Sequence, residues 1–433
     1  MNTLMQSSRK ENEGNCSETK GTEERLSCDR SLVCREVDGF NVTVSARPRK
    51  RSNAHEEGAH VQADTSRLNM STGQDVLRVM VATPLGQYGR GGIDRLTDLI
   101  VETIGERKDL RVEVERLVTR GQKKIWWPLV FVRALIQLGV ATRRRDVDLV
   151  HIQLAYAGSI YRKIMIAATA RYFRVPYVVH LHGGRFGRSW ENAGPYLARS
   201  IERLFINSAA IIVLGQCWAR LILDRLPDVK DKLTVLPNTT AVPNGTHRGR
   251  ADGERIQITF LGHVLPEKGV PQLIEALGKV SARGDWSATI AGNGELDQTR
   301  SHAQRLGIAD RVDMPGWLGP QEIAALLRST DILVLPSFVE NLPMVVIEGF
   351  AYGLAVVATP VGAVPEVIAH ERNGLLVPVG DVGALAGALH RLLDDGELRR
   401  TLGEAARRDY AERFEISTYI TRLVSTWRKA ARS

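Results

Sequence analysis

Two glutamates, Glu340 and Glu348, stand with seven residues between them in the run Ser337-Phe338-Val339-Glu340-Asn341-Leu342-Pro343-Met344-Val345-Val346-Ile347-Glu348-Gly349. Short apolar stretches at 331–336 and 354–359 flank this run, each long enough for a buried strand and too short for a helix. The segment between them fits one helix. Pro343 suits its first turn, where a missing N–H costs nothing, and Gly353 suits its end. Glu340 then falls in the loop and Glu348 inside the helix. A loop carboxylate beside a helix N-terminus, which itself favours anions, can hold a sugar hydroxyl and a phosphate side by side.

Four further motifs close strand-like stretches. Gly86-Gln87-Tyr88-Gly89-Arg90-Gly91-Gly92 would let backbone N–H groups approach a ligand at a helix start. It is not a dinucleotide fingerprint: the third glycine would fall at 94, which is Asp94, and the next strand ends in Thr119-Arg120 with no acid for a ribose. Val179-His180-Leu181-His182-Gly183-Gly184 puts two imidazoles on one side of a strand. They could be a metal pair, but no Cys or carboxylate nearby completes a set. The other reading is a hydrogen-bonded wall, with His182 at the strand tip best placed to reach a ligand. In Phe260-Leu261-Gly262-His263-Val264-Leu265-Pro266-Glu267-Lys268-Gly269, Lys268 heads a helix and can meet a phosphate as a point charge. Ile290-Ala291-Gly292-Asn293-Gly294-Glu295 is an ordinary strand–turn–helix junction.

The elements that must position these residues alternate. Apolar patterning predicts strands at 77–83, 110–118, 148–153, 177–181, 210–214 and 233–236, with helices near 92–106, 128–143, 159–173, 194–207 and 216–225. A second series predicts strands at 256–262, 288–291, 312–314, 332–335, 355–358 and 375–377. Its helices fall near 269–282, 295–306, 320–328, 343–352, 364–369 and 381–393, and two more close the chain near 397–412 and 416–430. The pattern is that of an α/β protein with two tandem Rossmann-like domains facing a cleft, each binding ligands beyond the carboxyl ends of its strands. The expected organisation is a disordered extension at 1–76, a first domain at 77–240, a linker at 241–254, a second domain at 255–415 and a terminal helix at 416–433. Met70, just before the first strand, is an alternative translation start.

Composition narrows the class. The chain has 433 residues, 43% apolar and 25% charged, with no apolar run of transmembrane length and no signal-peptide pattern at its start. Cys16, Cys28, Cys34 and Cys217 form no CxxC pair, so neither a zinc site nor a disulfide framework is expected, in keeping with a reducing cytoplasm. The net charge of +9 is uneven: residues 77–240 carry 26 basic and 14 acidic groups, a net +12. That half would face an anionic surface or substrate, or simply present a solvated charged face. Base-reading motifs are missing, so no nucleic-acid partner is expected.

Taken in order, these motifs closely resemble the retaining nucleotide-sugar glycosyltransferases of family four, which have the GT-B fold. The resemblance spans roughly residues 77–430. It is strongest from Ile256 to Val379, where Gly349-Phe350-Ala351-Tyr352-Gly353, Gly362-Ala363-Val364-Pro365-Glu366-Val367 and Asn373-Gly374-Leu375-Leu376-Val377 continue the glutamate motif. It implies the following roles. Glu340 holds hydroxyls of the donor sugar, with the backbone of Asn341, Leu342, Pro343 and Met344 near its phosphates. Glu348 binds the nucleotide ribose, and Lys268 neutralises the diphosphate leaving group. Gly91 and Gly92 approach donor phosphate and acceptor, His182 lies near the donor sugar, and Gly294 shapes the nucleotide pocket. Many members carry arginine where this chain has His263; an imidazole offers a diphosphate no guanidinium fork, which would shift the diphosphate onto Lys268. The resemblance also implies retention with no obligatory metal or other cofactor, by front-face attack in which Glu340 positions rather than attacks.

The acceptor is read from Lys123-Lys124-Ile125-Trp126-Trp127-Pro128-Leu129-Val130-Phe131-Val132-Arg133, followed by Arg143-Arg144-Arg145. A helix there could lie in a bilayer interface or be a core helix with charged ends. With the basic first half, the favoured expectation is a cytoplasmic enzyme peripheral to the inner face of the cell membrane. Similar enzymes build envelope or exported polysaccharides on polyprenyl diphosphate, so a lipid-linked acceptor is expected. The rival readings are a nucleotide-binding GT-B scaffold without transfer activity and an NAD-type oxidoreductase.

Overall fold

The computed structural model describes residues 76–87, 89, 91–121, 123–241, 245 and 254–433. The expected extension before Val76, the start at Met70 and most of the 241–254 linker lie outside the described residues.

Two parallel six-stranded sheets carry the fold. The first is built from β1 (Leu77–Thr83), β2 (Val112–Val118), β3 (Leu149–Leu154), β4 (Tyr177–Leu181), β5 (Ala210–Val213) and β6 (Leu233–Val235) in the order β2-β1-β3-β4-β5-β6. The second holds β7 (Ile256–Leu261), β8 (Trp286–Ala291), β9 (Val312–Gly316), β10 (Ile332–Leu335), β11 (Ala355–Ala358) and β12 (Leu375–Leu376) in the order β12-β11-β10-β7-β8-β9. Central strands β3, β4 and β5 are buried on both faces, which is why they read as unbroken apolar runs. Edge strand β2 instead alternates, with Glu113 and Glu115 in solvent.

Helices cover both faces. In the first half they are α1 (Gly92–Glu106), α2 (Trp127–Arg143), α3 (Gly158–Tyr172), α4 (Phe186–Glu191), α5 (Pro195–Ile206) and α6 (Gln216–Leu223). In the second they are α7 (Val270–Lys279), α8 (Leu296–Arg305), α9 (Pro320–Ser329), α10 (Met344–Tyr352), α11 (Val382–Asp394), α12 (Gly396–Arg413) and α13 (Ile416–Ala431). The last helix crosses back: Tyr419, Ile420, Leu423, Val424 and Trp427 pack with Val79, Ile100 and Ile212 of the first half. The two chain crossings lie side by side. Thr240 bridges Glu415, and the Thr239 hydroxyl donates to the Phe414 carbonyl at 2.6 Å.

Local departures from the sequence reading have physical causes. The helix expected at 364–369 is a single 3-10 turn, Val364–Glu366. There the Asn373 side chain accepts from Ala369 N at 2.8 Å and donates to Val367 O at 3.0 Å, taking backbone groups a helix would use. α4 was not anticipated, because Gly187 and its neighbouring glycines argue against helix. Buried Phe186 and Trp190 hold it, with the Trp190 ring stacked on Phe205 at 5.6 Å. Helix α10 begins at Met344, so Pro343 is its N-cap rather than its first helical residue.

Candidate active site

Each strand order reverses once. The crevice lies between β1 and β3 in the first sheet and between β7 and β10 in the second, the places where open α/β sheets bind ligands. The loops leaving these strands meet in one cleft, with two connected chambers. One, of about 830 Å³, is bounded by Gly92, Tyr156, His182, Gly184, Lys268 and Glu340. The other, of about 890 Å³, is bounded by Gly91, Arg95, His263, Gly292, Leu318 and Glu348. Gly92, Lys268, Glu340, Pro343 and Met344 line both.

At the junction Lys268 Nζ donates to Glu340 Oε1 at 2.6 Å, and the Ser337 hydroxyl donates to the same oxygen at 2.9 Å. Backbone geometry fixes both partners. Lys268 ends a 3-10 turn, and Gly269 follows at φ +71°, where an added Cβ would lie 2.0 Å from the Pro336 carbonyl oxygen. The β7 and β10 loops therefore touch backbone to backbone, and any side chain at 269 would push the amine away from the carboxylate.

Glu348 is buried in α10, with its side chain 4% exposed, and it pairs with Arg95 of α1 across the cleft. Its other oxygen has no hydrogen-bond partner among the described residues. The same is true of Asn341 Oδ1, Asn238 Oδ1 and His182 Nε2. All four belong to residues lining the chambers. Buried polar atoms without partners are costly, and their convergence on one cleft marks a place for a polar ligand.

The lobes are held together around this space. Asn341 Nδ2 donates to Leu181 O at 3.2 Å, Arg185 pairs with Glu267, and Asn238 Nδ2 donates to Leu342 O at 2.6 Å. Glu366 accepts from Gln216 N at 2.6 Å and Cys217 N at 2.8 Å, capping α6 from the opposite lobe. At Gly184 an added Cβ would lie 2.6 Å from the backbone of Glu340, so the first lobe's histidine loop sits directly against the glutamate loop.

His182 ends a buried polar chain. Trp427 Nε1 donates to His151 Nδ1 at 2.8 Å, and His151 Nε2 lies 3.3 Å from His180 Nδ1. The indole is only a donor, so His151 carries its proton on Nε2 and gives it to His180, whose own proton is then on Nε2, facing His182 with ring centroids 4.0 Å apart. The histidines form a wall of neutral rings. Among the described residues no group of three or more His, Cys, Asp and Glu is placed to hold a metal. Burial, reinforced by neighbouring positive charge, pushes His151 and His182 down to about 3. The unfolded chain takes up protons near pH 6.5 that the folded chain refuses until about pH 3. Stability is therefore full above pH 6.5 and falls as pH falls. From pH 7 to 5 each of these two histidines is expected to cost about 2 kcal/mol, seen as a lower urea midpoint at pH 5. An unchanged midpoint would show that the rings are not neutral and buried.

Of the residues singled out from sequence, Gly91, Gly92, His182, His263, Lys268, Glu340, Asn341, Leu342, Pro343 and Glu348 line the cleft. Gly294 does not. It bridges Val264 at the base of its loop, and Gly292 supplies the wall instead. Asp94, which sequence reasoning saw only as a misfit to a fingerprint, ties down the glycine loop: its Oδ1 accepts from Thr83 Oγ1 at 2.7 Å, Leu85 N at 2.9 Å and Gly86 N at 3.2 Å. Arg95 and Arg185 were missed. Each follows a glycine pair by one turn or less, and that spacing is the signal that could have found them.

Comparison with known proteins bears on the family and the fold. Residues 247–409 match the family described as glycosyl transferases group 1, and residues 38–239 match the glycosyl transferase 4-like domain. An uncharacterized glycosyltransferase of Methanocaldococcus jannaschii is 30% identical over 183 residues, 42% of this chain and 47% of that protein. An MMP alpha-(1->4)-mannosyltransferase of Mycolicibacterium hassiacum is 28% identical over 342 residues, 74% of this chain and 79% of that protein. The chain thus spans about half the length of the first relative and most of the second. Among solved structures, Anabaena HepE in complex with UDP-glucose superposes with a TM-score of 0.64 at 19% identity, covering 81% of this chain and 99% of that one, a likeness of fold.

Proposed function

We propose that this chain, which belongs to the family-four (group 1) glycosyltransferases and has their GT-B fold, moves a hexosyl group from a UDP- or GDP-sugar to a lipid-linked saccharide, with retention at the anomeric carbon. The observation that carries this reading is the pairing of Lys268 with Glu340 and of Arg95 with Glu348 where the two switch points face each other. In this reading Glu348 takes the nucleotide ribose, Lys268 and Arg95 the diphosphate, and Glu340 the sugar hydroxyls. The bond from the anomeric carbon to the diphosphate oxygen breaks, and the acceptor oxygen bonds to that carbon on the same face. The acceptor's proton passes to the departing phosphate oxygen. No enzyme nucleophile is needed, and the residues supply positioning, charge stabilisation and exclusion of water. No metal is assigned a role.

The acceptor side rests on surface chemistry. No helix among the described residues is long and apolar enough to cross a membrane. Yet α2 exposes Leu129, Val132, Ile136 and Val140 along one stripe, with Trp126 and Trp127 at its start and Arg143, Arg144 and Arg145 where it ends. Such a helix suits an anionic bilayer interface, at about 1 kcal/mol for each basic group near the surface. Purified protein should float with phosphatidylglycerol vesicles and be released by salt. Failure to float would remove the membrane from the reading.

The transfer itself is tested by screening UDP- and GDP-sugars for release of the nucleoside diphosphate, with the product anomer read by NMR. No turnover with any donor would leave the chain a nucleotide-binding scaffold, and an inverted anomer would remove retention.

A further inference from the structure

Two arginines at the carboxyl edge of the first sheet have no ion-pair partner among the described residues. Arg120 follows β2, its backbone N bonded to Pro84 O at 2.9 Å, immediately before the glycine loop. Arg162 lies in the second turn of α3, whose approach through Ala155 and Tyr156 walls the chamber beside Glu340. Both side chains are half-buried, and both Nε atoms are buried without a hydrogen-bond partner among the described residues. No carboxylate among the described residues forms an ion pair with either. Burial and the Arg120 charge together lower the Arg162 pKa, so the two guanidinium groups feel one another. Behind them Lys163 is fully buried, its Nζ on the Ala82 carbonyl and the Thr119 hydroxyl; burial and the Arg162 charge bring its pKa down to about 7, against the opposing pull of Asp94. The Arg162 guanidinium lies over the Trp127 ring at 5.9 Å, where the exposed stripe of α2 begins.

Like charges brought together and half-buried are unfavourable unless an anion joins them. An arginine fork is matched to phosphate oxygens. The place of this pair is informative: the reaction chamber on one side, an apolar ramp on the other. Leu129 and Ile136 on that ramp are each 61% exposed. A ligand that joins a saccharide, a phosphate and a long apolar chain would meet the three surfaces in that order.

We infer that Arg120 and Arg162 form a subsite for the acceptor's phosphate or diphosphate, and that the isoprenoid tail attached to it runs along α2 over Trp127, Leu129 and Ile136. The inference deepens the transferase reading and rests on it for the saccharide end only. The arginines take no part in bond breaking. They set how far the acceptor enters, so that its hydroxyl rather than its phosphate faces Glu340.

Calorimetry on the full chain tests this without donor or turnover. The probes are geranylgeranyl diphosphate, geranylgeraniol and inorganic diphosphate. The wild type should bind the lipid diphosphate more tightly than either half. Arg120→Ala and Arg162→Ala should each weaken it by about tenfold or more, the range of a charged hydrogen bond. Arg162→Lys should fall between, since it keeps charge but loses the fork. Ile136→Ser should weaken the lipid diphosphate and leave inorganic diphosphate unchanged. Affinity for UDP or GDP should be the same in all variants. Arg162→Met should raise the melting temperature of the unliganded protein, because it removes a half-buried charge, and this shows that lost binding is not lost folding. The inference is overturned if the arginine variants keep wild-type lipid diphosphate affinity, or if geranylgeraniol binds as well. It is also overturned if UDP or GDP affinity falls in parallel, which would put the arginines in the donor site. Equal binding of inorganic and lipid diphosphate would leave a free-anion site and remove the ramp. Absence of sugar transfer with every donor would fall on the transferase reading, since these affinities are read independently of it.

Discussion

Lys268→Ala is expected to lower kcat by about 10²–10³-fold, the usual cost of removing one preorganised group aimed at a developing anion. The amine lies where the loops after β7 and β10 meet, 2.6 Å from Glu340, and Gly269 locks the turn that carries it. In the proposed transfer, negative charge would grow on the departing diphosphate, and Lys268 lies in the wall of both chambers. His263 also lines the nucleotide side, but an imidazole lacks the guanidinium fork, so more of the anion falls to the lysine. Lys268→Arg should recover part of the rate by restoring charge with a longer reach. Steady-state release of nucleoside diphosphate measures both. A Lys268→Ala enzyme within tenfold of wild type would refute the assignment of leaving-group stabilisation to this residue.

Glu340→Ala should reduce kcat/KM at least about 10²-fold, the scale set by misplacing a reacting centre by an ångström. Two effects combine. In the proposed reading the sugar would lose the carboxylate that orients its hydroxyls, and Lys268 loses the partner that holds it toward the cleft. Because the two side chains share one bond, their losses should not add. The double variant Lys268→Ala with Glu340→Ala should be little worse than the poorer single variant. Additive losses in that cycle would mean that the pair acts as two separate contacts. A melting temperature close to wild type is expected for Glu340→Ala, since the carboxylate sits at the cleft wall and leaves no apolar cavity behind.

The sequence carried most of this site because its residues lie at strand ends, and strand ends are marked locally. Apolar runs of four to seven residues that end in glycine or proline turns place Gly91, His182, Lys268 and Glu340 at strand ends before any packing is known. What sequence could not supply was pairing across the lobes. Arg95 and Glu348 are 253 residues apart. Nothing in the neighbourhood of either shows that a helix from one sheet reaches a helix from the other. Glu366, part of a recognisable run, gains its role only when α6 presents its first two N–H groups to it. The choice between two glycines has a similar cause: both glycines of Gly292-Asn293-Gly294 satisfy the turn, and only the pairing of Gly294 with Val264 leaves Gly292 as the one that lines the cleft. Asp94 shows the converse. A residue that spoils one motif can be the anchor of another, and its three hydrogen bonds are visible only once the loop is closed around it.

The return of α13 to the first sheet has a consequence for biosynthesis. Trp427 and Leu423 are fully buried beside strands made more than two hundred residues earlier. While the ribosome is still adding the second lobe, the first lobe has an open apolar face and His151 lacks its indole donor. The nascent amino-terminal half therefore cannot reach its finished state in the order of translation. It must wait, exposed, for the last helix to emerge, and a stop codon even a few turns early would strand the first half rather than trim the second.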